Sequence, residues 1–202
     1  ATCVITSRTE SELNEISSLD KRIIPIKADI SQEEDVRNLF DKIDNQVGTI
    51  DVLINNAATL TVKPFEELSM AEWTTMLNVN ITGSFLCSQY AFKRMKENKG
   101  GQILNISSLA GIRGVEKFPG FSAYITTKHA IIGLTESLHV EGKAHNIRVN
   151  CIAPGAVDTK MLRDCAPHLK TSTTPQDIAE TIHFFCKSTH INGSIMEIHT
   201  NE

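Results

Sequence analysis

No apolar run in this sequence approaches the roughly 20 residues needed to span a bilayer, and no stretch has the pattern of a signal peptide. Strong charge of either sign is also missing. The formal net charge is −4, which gives no reason to expect nucleic acid or an anionic membrane as partner. Basic residues are scattered except at Lys93-Arg94-Met95-Lys96, which reads as the last turn of a helix, where cations complement the dipole. The seven histidines show no metal-ligand spacing with one another or with cysteine, so no metal site is expected. The five cysteines (Cys3, Cys87, Cys151, Cys165 and Cys186) are odd in number and far apart. They read as free thiols of a reducing compartment, the cytoplasm or another, rather than as a disulfide framework. Internal repeats, linker tracts and low-complexity segments are absent, so residues 1–202 read as one domain.

What is present is an ordinary globular balance, 41% hydrophobic and 22% charged over 202 residues, enough for one substantial core. Ala1–Thr6 reads as a short buried strand. Thr9-Glu10-Ser11-Glu12 looks like a capping box ahead of a helical stripe of Leu13, Ile16 and Leu19. Arg22–Ile30 is a second strand, with Pro25 favouring a sheet edge. Ser31-Gln32-Glu33-Glu34 looks like another capping box, before Val36, Leu39, Phe40, Ile43 and Val47 at helical spacing. The apolar strand Ile50–Ile54 runs into Asn55-Asn56-Ala57-Ala58. Ser69-Met70-Ala71-Glu72 caps a long helix through Asn80 and Gly83 to about Lys96. A strand at Gln102–Ile106 ends in Ser107-Ser108, and a glycine-punctuated loop leads to a helix from about Ser122 to His145. The strand Ile147–Ile152 stops at Pro154-Gly155. A last helix starts at Thr174-Pro175, with proline at the first helical position, and a last strand covers Ser194–His199. Near-continuous apolar strands alternating with helices predict a parallel sheet covered on both faces. Ligands then bind at the carboxyl ends of the strands, where Ser7-Arg8, Asp29, Asn55-Asn56, Ser107-Ser108 and the loop after Gly155 stand.

Tyr124 and Lys128 lie four residues apart on the predicted helix, so their side chains share a face. A nearby ammonium favours phenolate and lowers the tyrosine pKa, which would let the pair donate and accept a proton near neutral pH. The spacing alone is common in helices.

The order of features is specific. Asn55-Asn56-Ala57-Ala58 follows a strand, Asn80 lies within the next helix and Ser108 follows the next strand. Tyr124-x-x-x-Lys128 comes next, then Pro154-Gly155 with Val157 and Thr159. The sequence resembles the short-chain dehydrogenase/reductase family over nearly its whole length. That resemblance implies an α/β fold, a Rossmann-type doubly wound parallel sheet, and a nicotinamide-dependent oxidoreductase interconverting a carbonyl and a secondary alcohol by hydride transfer. It implies a catalytic set of Asn80, Ser108, Tyr124 and Lys128. Tyr124 is the proton donor or acceptor, Lys128 lowers its pKa and holds the nicotinamide ribose, Ser108 hydrogen-bonds the substrate oxygen, and Asn80 holds a water linked to Lys128. Donors aimed at the developing oxyanion suit the chemistry.

The resemblance further implies cofactor contacts at Ser7, Arg8, Asp29, Ile30, Asn56, Ala57, Tyr124, Lys128, Pro154, Gly155, Val157 and Thr159. Asn55 and Asn56 both fasten the sheet centre and border the cofactor, whereas Thr159 either touches the carboxamide or caps the loop. NAD-preferring members carry an acid after the strand that here ends Thr6-Ser7-Arg8. An arginine in that place suits a 2′-phosphate, so NADP(H) is the expected cofactor. Helices such as those holding Ala71–Met95 and Tyr124–His145 commonly pack between subunits in the family, which implies a homodimer or homotetramer.

Three departures stand out. The family's first strand and its glycine-rich phosphate-cradling turn are absent from this sequence, leaving the opening strands without a central neighbour. The sequence then reads as part of a longer chain, as a naturally shortened product without cofactor binding, or as a subunit whose partner supplies the strand. The segment from Ser108 to Tyr124 is longer than usual, with the extra length near Glu116-Lys117-Phe118-Pro119. The short loop from Met161 to Pro175 and the closing Glu197-Ile198-His199-Thr200 resemble sepiapterin-reductase-like and carbonyl-reductase members as much as 3-oxoacyl-carrier reductases. Two other readings stay open: a catalytically silent nucleotide-binding homologue, and an interaction subunit.

Overall fold

A computed structural model describes residues 1–200. In chain order the elements are β1 (Cys3–Ser7), α1 (Glu10–Ser17), β2 (Ile23–Lys27), α2 (Glu33–Gln46), β3 (Val52–Asn55), α3 (Met70–Leu77), α4 (Gly83–Glu97), β4 (Gly101–Ile106), α5 (Ser122–Gly142), β5 (Ile147–Pro154), α6 (Lys160–Cys165), α7 (Pro175–Lys187) and β6 (Ile195–Ile198). The strands are all parallel, in two groups: β1 beside β2, and β3-β4-β5-β6. This is the doubly wound Rossmann-type arrangement that the strand–helix alternation predicts. Pro25 pairs with Ile5 on β2, which has β1 as its only partner among the described residues, so its missing N–H disturbs no inner ladder.

Alternation along the central strands divides the core between the two faces. Ile103 and Val149 point to the face covered by α2 and α4, into a cluster with Val36, Phe40, Ala91 and Met95. Leu104 and Ile152 point to the other face, against Phe185 of α7. The first cluster also takes in Ile26 and Val4 from the two-stranded pair. The two strand groups are therefore held to one helix layer even though β1 and β3 each pair on one side only. The open sides have a visible cost. Ile54 remains 41% exposed on β3, whereas Ile103 and Leu104 on β4 are fully buried.

Buried amides brace the centre. Asn55 Nδ2 donates to Asn105 Oδ1 at 2.8 Å and to Ser88 Oγ at 2.9 Å, and Asn105 Nδ2 donates to Thr135 Oγ1 at 2.9 Å. This chain of donors and acceptors ties β3, β4, α4 and α5 together. It satisfies groups that would otherwise be costly to bury.

Local starts and stops agree only in part with the sequence. The Ser69–Glu72 capping box forms, and so does one at Thr174–Asp177 with Pro175 in the first turn. The two earlier boxes do not. Thr9 caps α1 without a side-chain bond, and α2 begins at Glu33 with Gln32 before it. Ser31 instead gives its hydroxyl to Asp29 Oδ1 at 2.7 Å. The long helix expected from Met70 to Lys96 is continuous but carries a π-turn at Asn78–Thr82, and the short helix α6 occupies what reads in sequence as loop.

Candidate active site

The carboxyl ends of β3, β4 and β5 open on a cavity of about 1160 Å³. Of the residues implied by the family resemblance, Asn56, Ala57, Ser108, Tyr124, Lys128, Pro154, Gly155, Val157 and Thr159 all line it. Ser7, Arg8, Asp29 and Ile30 do not. They stand at the ends of β1 and β2, in the separate strand pair. Asn80 lies behind the cavity wall and is 1% exposed.

Adjacent serines after β4 divide two tasks. Ser107 Oγ donates to the Lys128 carbonyl at 2.8 Å, locking the strand end to α5. Ser108 turns to the cavity, accepts from the Ala110 N–H at 3.1 Å, and reaches the Tyr124 hydroxyl closely enough to lower its pKa. The helical turn at Leu109–Gly111 lies directly on α5. A Cβ on Gly111 would stand 2.6 Å from the Lys128 carbonyl oxygen, a contact that only glycine avoids.

Tyr124 and Lys128 converge as their spacing predicts, with Lys128 Nζ 5.5 Å from the centre of the Tyr124 ring. The ammonium is buried and donates to the Ile106 carbonyl at 2.9 Å. Their electrostatics differ from the expectation of a lowered phenol pKa. Burial pushes the Tyr124 phenol up to about 12, outweighing the Ser108 contact. Burial also draws Lys128 down to about 8, with nearby Cys151 working in the opposite sense. Desolvation penalises both charged forms, and the lysine spends its charge on a carbonyl rather than on the phenol. At neutral pH the phenol is protonated, the state a proton donor needs.

Asn80 lies in the π-turn, and its amide is hydrogen-bonded at both ends. Its Oδ1 accepts from the Thr59 N–H at 2.7 Å, and its Nδ2 donates to Thr59 O at 2.9 Å and Thr127 Oγ1 at 3.0 Å. It fastens the loop after β3 to α5, one residue before Lys128, with no hydrogen bond to Lys128 itself. Thr159 caps α6 by accepting from the Leu162 N–H while lining the cavity. Asn55 belongs to the brace and Asn56 to the cavity, so neighbouring residues share the two roles expected of both.

Sequence reasoning missed Leu60, Phe121, Ile125 and His168 in the lining. Phe121 alone carries a local signal, standing three residues before the tyrosine, where it meets the Tyr124 ring edge-on at 6.3 Å. Among the described residues no group of three or more His, Cys, Asp or Glu side chains could hold a metal ion, and no helix is long and apolar enough to cross a membrane.

The residues present suit a nicotinamide dinucleotide. Thr6 Oγ1 is buried without a partner near the carboxyl end of β1, the end at which such sheets bind ligands. Comparison with known proteins agrees. The short chain dehydrogenase family model matches residues 1–170, and the chain belongs to that family of oxidoreductases. The 3-oxoacyl-acyl-carrier-protein reductase FabG of Aquifex aeolicus is 33% identical over 185 residues, 86% of this chain and 73% of that protein. Among solved structures, ElxO with NADP bound superposes with a TM-score of 0.87 at 31% identity, covering 98% of this chain and 86% of the other. The 3-ketoacyl-(acyl-carrier-protein) reductase of Brucella melitensis complexed with NADH gives 0.89 at 25% identity, with the same coverage. The matches span between 47% and 81% of the lengths of the curated relatives.

Proposed function

We propose that this protein, one domain over residues 1–202, is an NADP(H)-dependent oxidoreductase that interconverts a carbonyl and a secondary alcohol on a small or medium apolar substrate. The observation that carries this reading is the convergence of Ser108, Tyr124 and Lys128 on one cavity, with Asn80 fastening the helix beneath them. A nicotinamide dinucleotide held by these residues would supply the hydride that the carbonyl carbon needs. Tyr124 gives its phenolic proton to the carbonyl oxygen as the C=O π bond breaks, and Ser108 donates a second hydrogen bond to that oxygen. Lys128 holds the nicotinamide ribose and, once drawn from the Ile106 carbonyl, stabilises the phenolate left behind. Asn80 keeps α5 in register for both.

Asn56, Ala57, Pro154, Gly155, Val157 and Thr159 border the nicotinamide end. Ser7, Arg8, Asp29 and Ile30 take the adenosine end. ElxO was solved with NADP and the Brucella reductase with NADH, so the family admits either, and exposed Arg8 favours the 2′-phosphate. A homodimer or homotetramer is supported by apolar side chains left in water along α3, α4 and α5, Met70 at 74% and Val140 at 65% exposed. The free thiols suit the cytoplasm or another reducing compartment.

The experiment is a fluorescence titration with NADPH and NADH, followed by NADPH oxidation against a panel of carbonyl compounds. Saturable NADPH binding with turnover of at least one ketone is the expected result. Binding without turnover would instead favour a catalytically silent nucleotide-binding homologue, and absence of any nucleotide binding would defeat both readings.

A further inference from the structure

We propose that Lys117 is a positioning residue that fixes the 112–121 segment as an aromatic wall of the substrate pocket, directing the site to carbonyls that bear a flat apolar arm. The proposal rests on the carbonyl-reduction reading of the cavity and names its substrate class. An ammonium has three donors, and Lys117 Nζ uses all of them on backbone carbonyls: Leu109 O at 3.2 Å, Ala110 O at 2.8 Å and Ile112 O at 2.6 Å. These carbonyls lie in and just beyond the short helical turn that Ser108 caps at its other end. A cation suits that carbonyl end, and charge-assisted bonds are the stronger kind.

The far end of the segment is tied as well. The Lys63 N–H donates to Gly120 O at 3.1 Å, and Gly120 has φ +83°, with Val62 too close for a Cβ at 2.9 Å. Between the two ties stands an aromatic row that ends on the proton donor. Phe118 packs on Phe121 with ring centres 6.2 Å apart, and Phe121 meets Tyr124. Phe118 and Phe121 line the cavity together with Val115 and Leu60. The segment between the two ties is therefore folded into the pocket wall, and the residue that pins its near end lies within it.

The test uses the whole chain with Lys117→Met and Lys117→Arg. Hydrogen exchange should accelerate about tenfold over residues 112–121 in Lys117→Met and remain at the wild-type rate elsewhere. With ethyl benzoylacetate as the aryl probe, KM should rise roughly tenfold. KM for ethyl acetoacetate, and the Kd for NADPH, should change less than twofold, and Lys117→Arg should restore most of the aryl preference. Unchanged exchange in Lys117→Met, or equal KM shifts for both esters, overturns the proposal. Wild-type turnover of neither ester overturns its substrate half, and exchange then decides the pinning half independently of any activity.

Discussion

The four-stranded sheet and the two-stranded pair are built from similar β-branched residues, yet they end in different states. β5 is buried along nearly its whole length, and its neighbour β4 is sealed by helices on both faces. Every residue of β1 is exposed or only half-buried. The first region carries the residues proposed for acid–base chemistry, held by an amide brace and a serine lock. The second carries the residues suited to the adenosine end of a nucleotide. Proton transfer requires fixed geometry at atomic scale, and the closed region supplies it. The charge recognition proposed for Arg8 tolerates a looser support.

The largest effect expected on this contrast is chemical. Tyr124→Phe removes the donor and should lower turnover by about 10³-fold or more, read as NADPH oxidation with the best ketone, while leaving the fold intact. Next comes stability. Ile103→Ala in the sealed region should cost about 3–4 kcal/mol, whereas Ile5→Ala in the half-buried strand should cost about 1 kcal/mol, both measured by urea unfolding. Equal costs would break the contrast.

Lys128 sharpens it through pH. Its folded pKa, about 8, lies below its ordinary value of 10.5. Below pH 8 both folded and unfolded states hold the proton, and the burial cost is fully expressed. Between pH 8 and 10.5 the unfolded chain binds more protons, so stability rises with pH. The wild type should therefore gain up to about 3 kcal/mol over that window relative to Lys128→Met. The raised Tyr124 phenol opposes this gain only above pH 10, where the unfolded phenol ionises first. A smaller effect on binding falls on the open region. Arg8→Ala should weaken NADPH binding roughly tenfold and leave NADH binding unchanged.

Much of this was legible because periodicity and motif order depend on local sequence. Apolar alternation located the strands, and the order of Ser108, Tyr124 and Lys128 pointed to residues that converge on the cavity. What escaped depended on competition between neighbours. Ser31 could cap α2 or bond Asp29, and only the folded turn shows that it bonds Asp29. The π-turn at Asn78–Thr82 leaves no periodic trace, because Asn80 is drawn sideways by Thr59 and Thr127, distant in sequence. The phenol pKa was misjudged in direction because helical spacing shows that Lys128 is near. It does not show that burial strips the phenol of solvent and pushes its pKa up.

The most direct test of the division between the two regions is the NADPH dissociation constant of Tyr124→Phe and Arg8→Ala, measured beside their turnover at saturating NADPH. The account predicts that Tyr124→Phe keeps wild-type affinity and loses turnover, and that Arg8→Ala loses affinity and keeps turnover. Wild-type turnover by Tyr124→Phe, or a collapse of turnover in saturated Arg8→Ala, would contradict it.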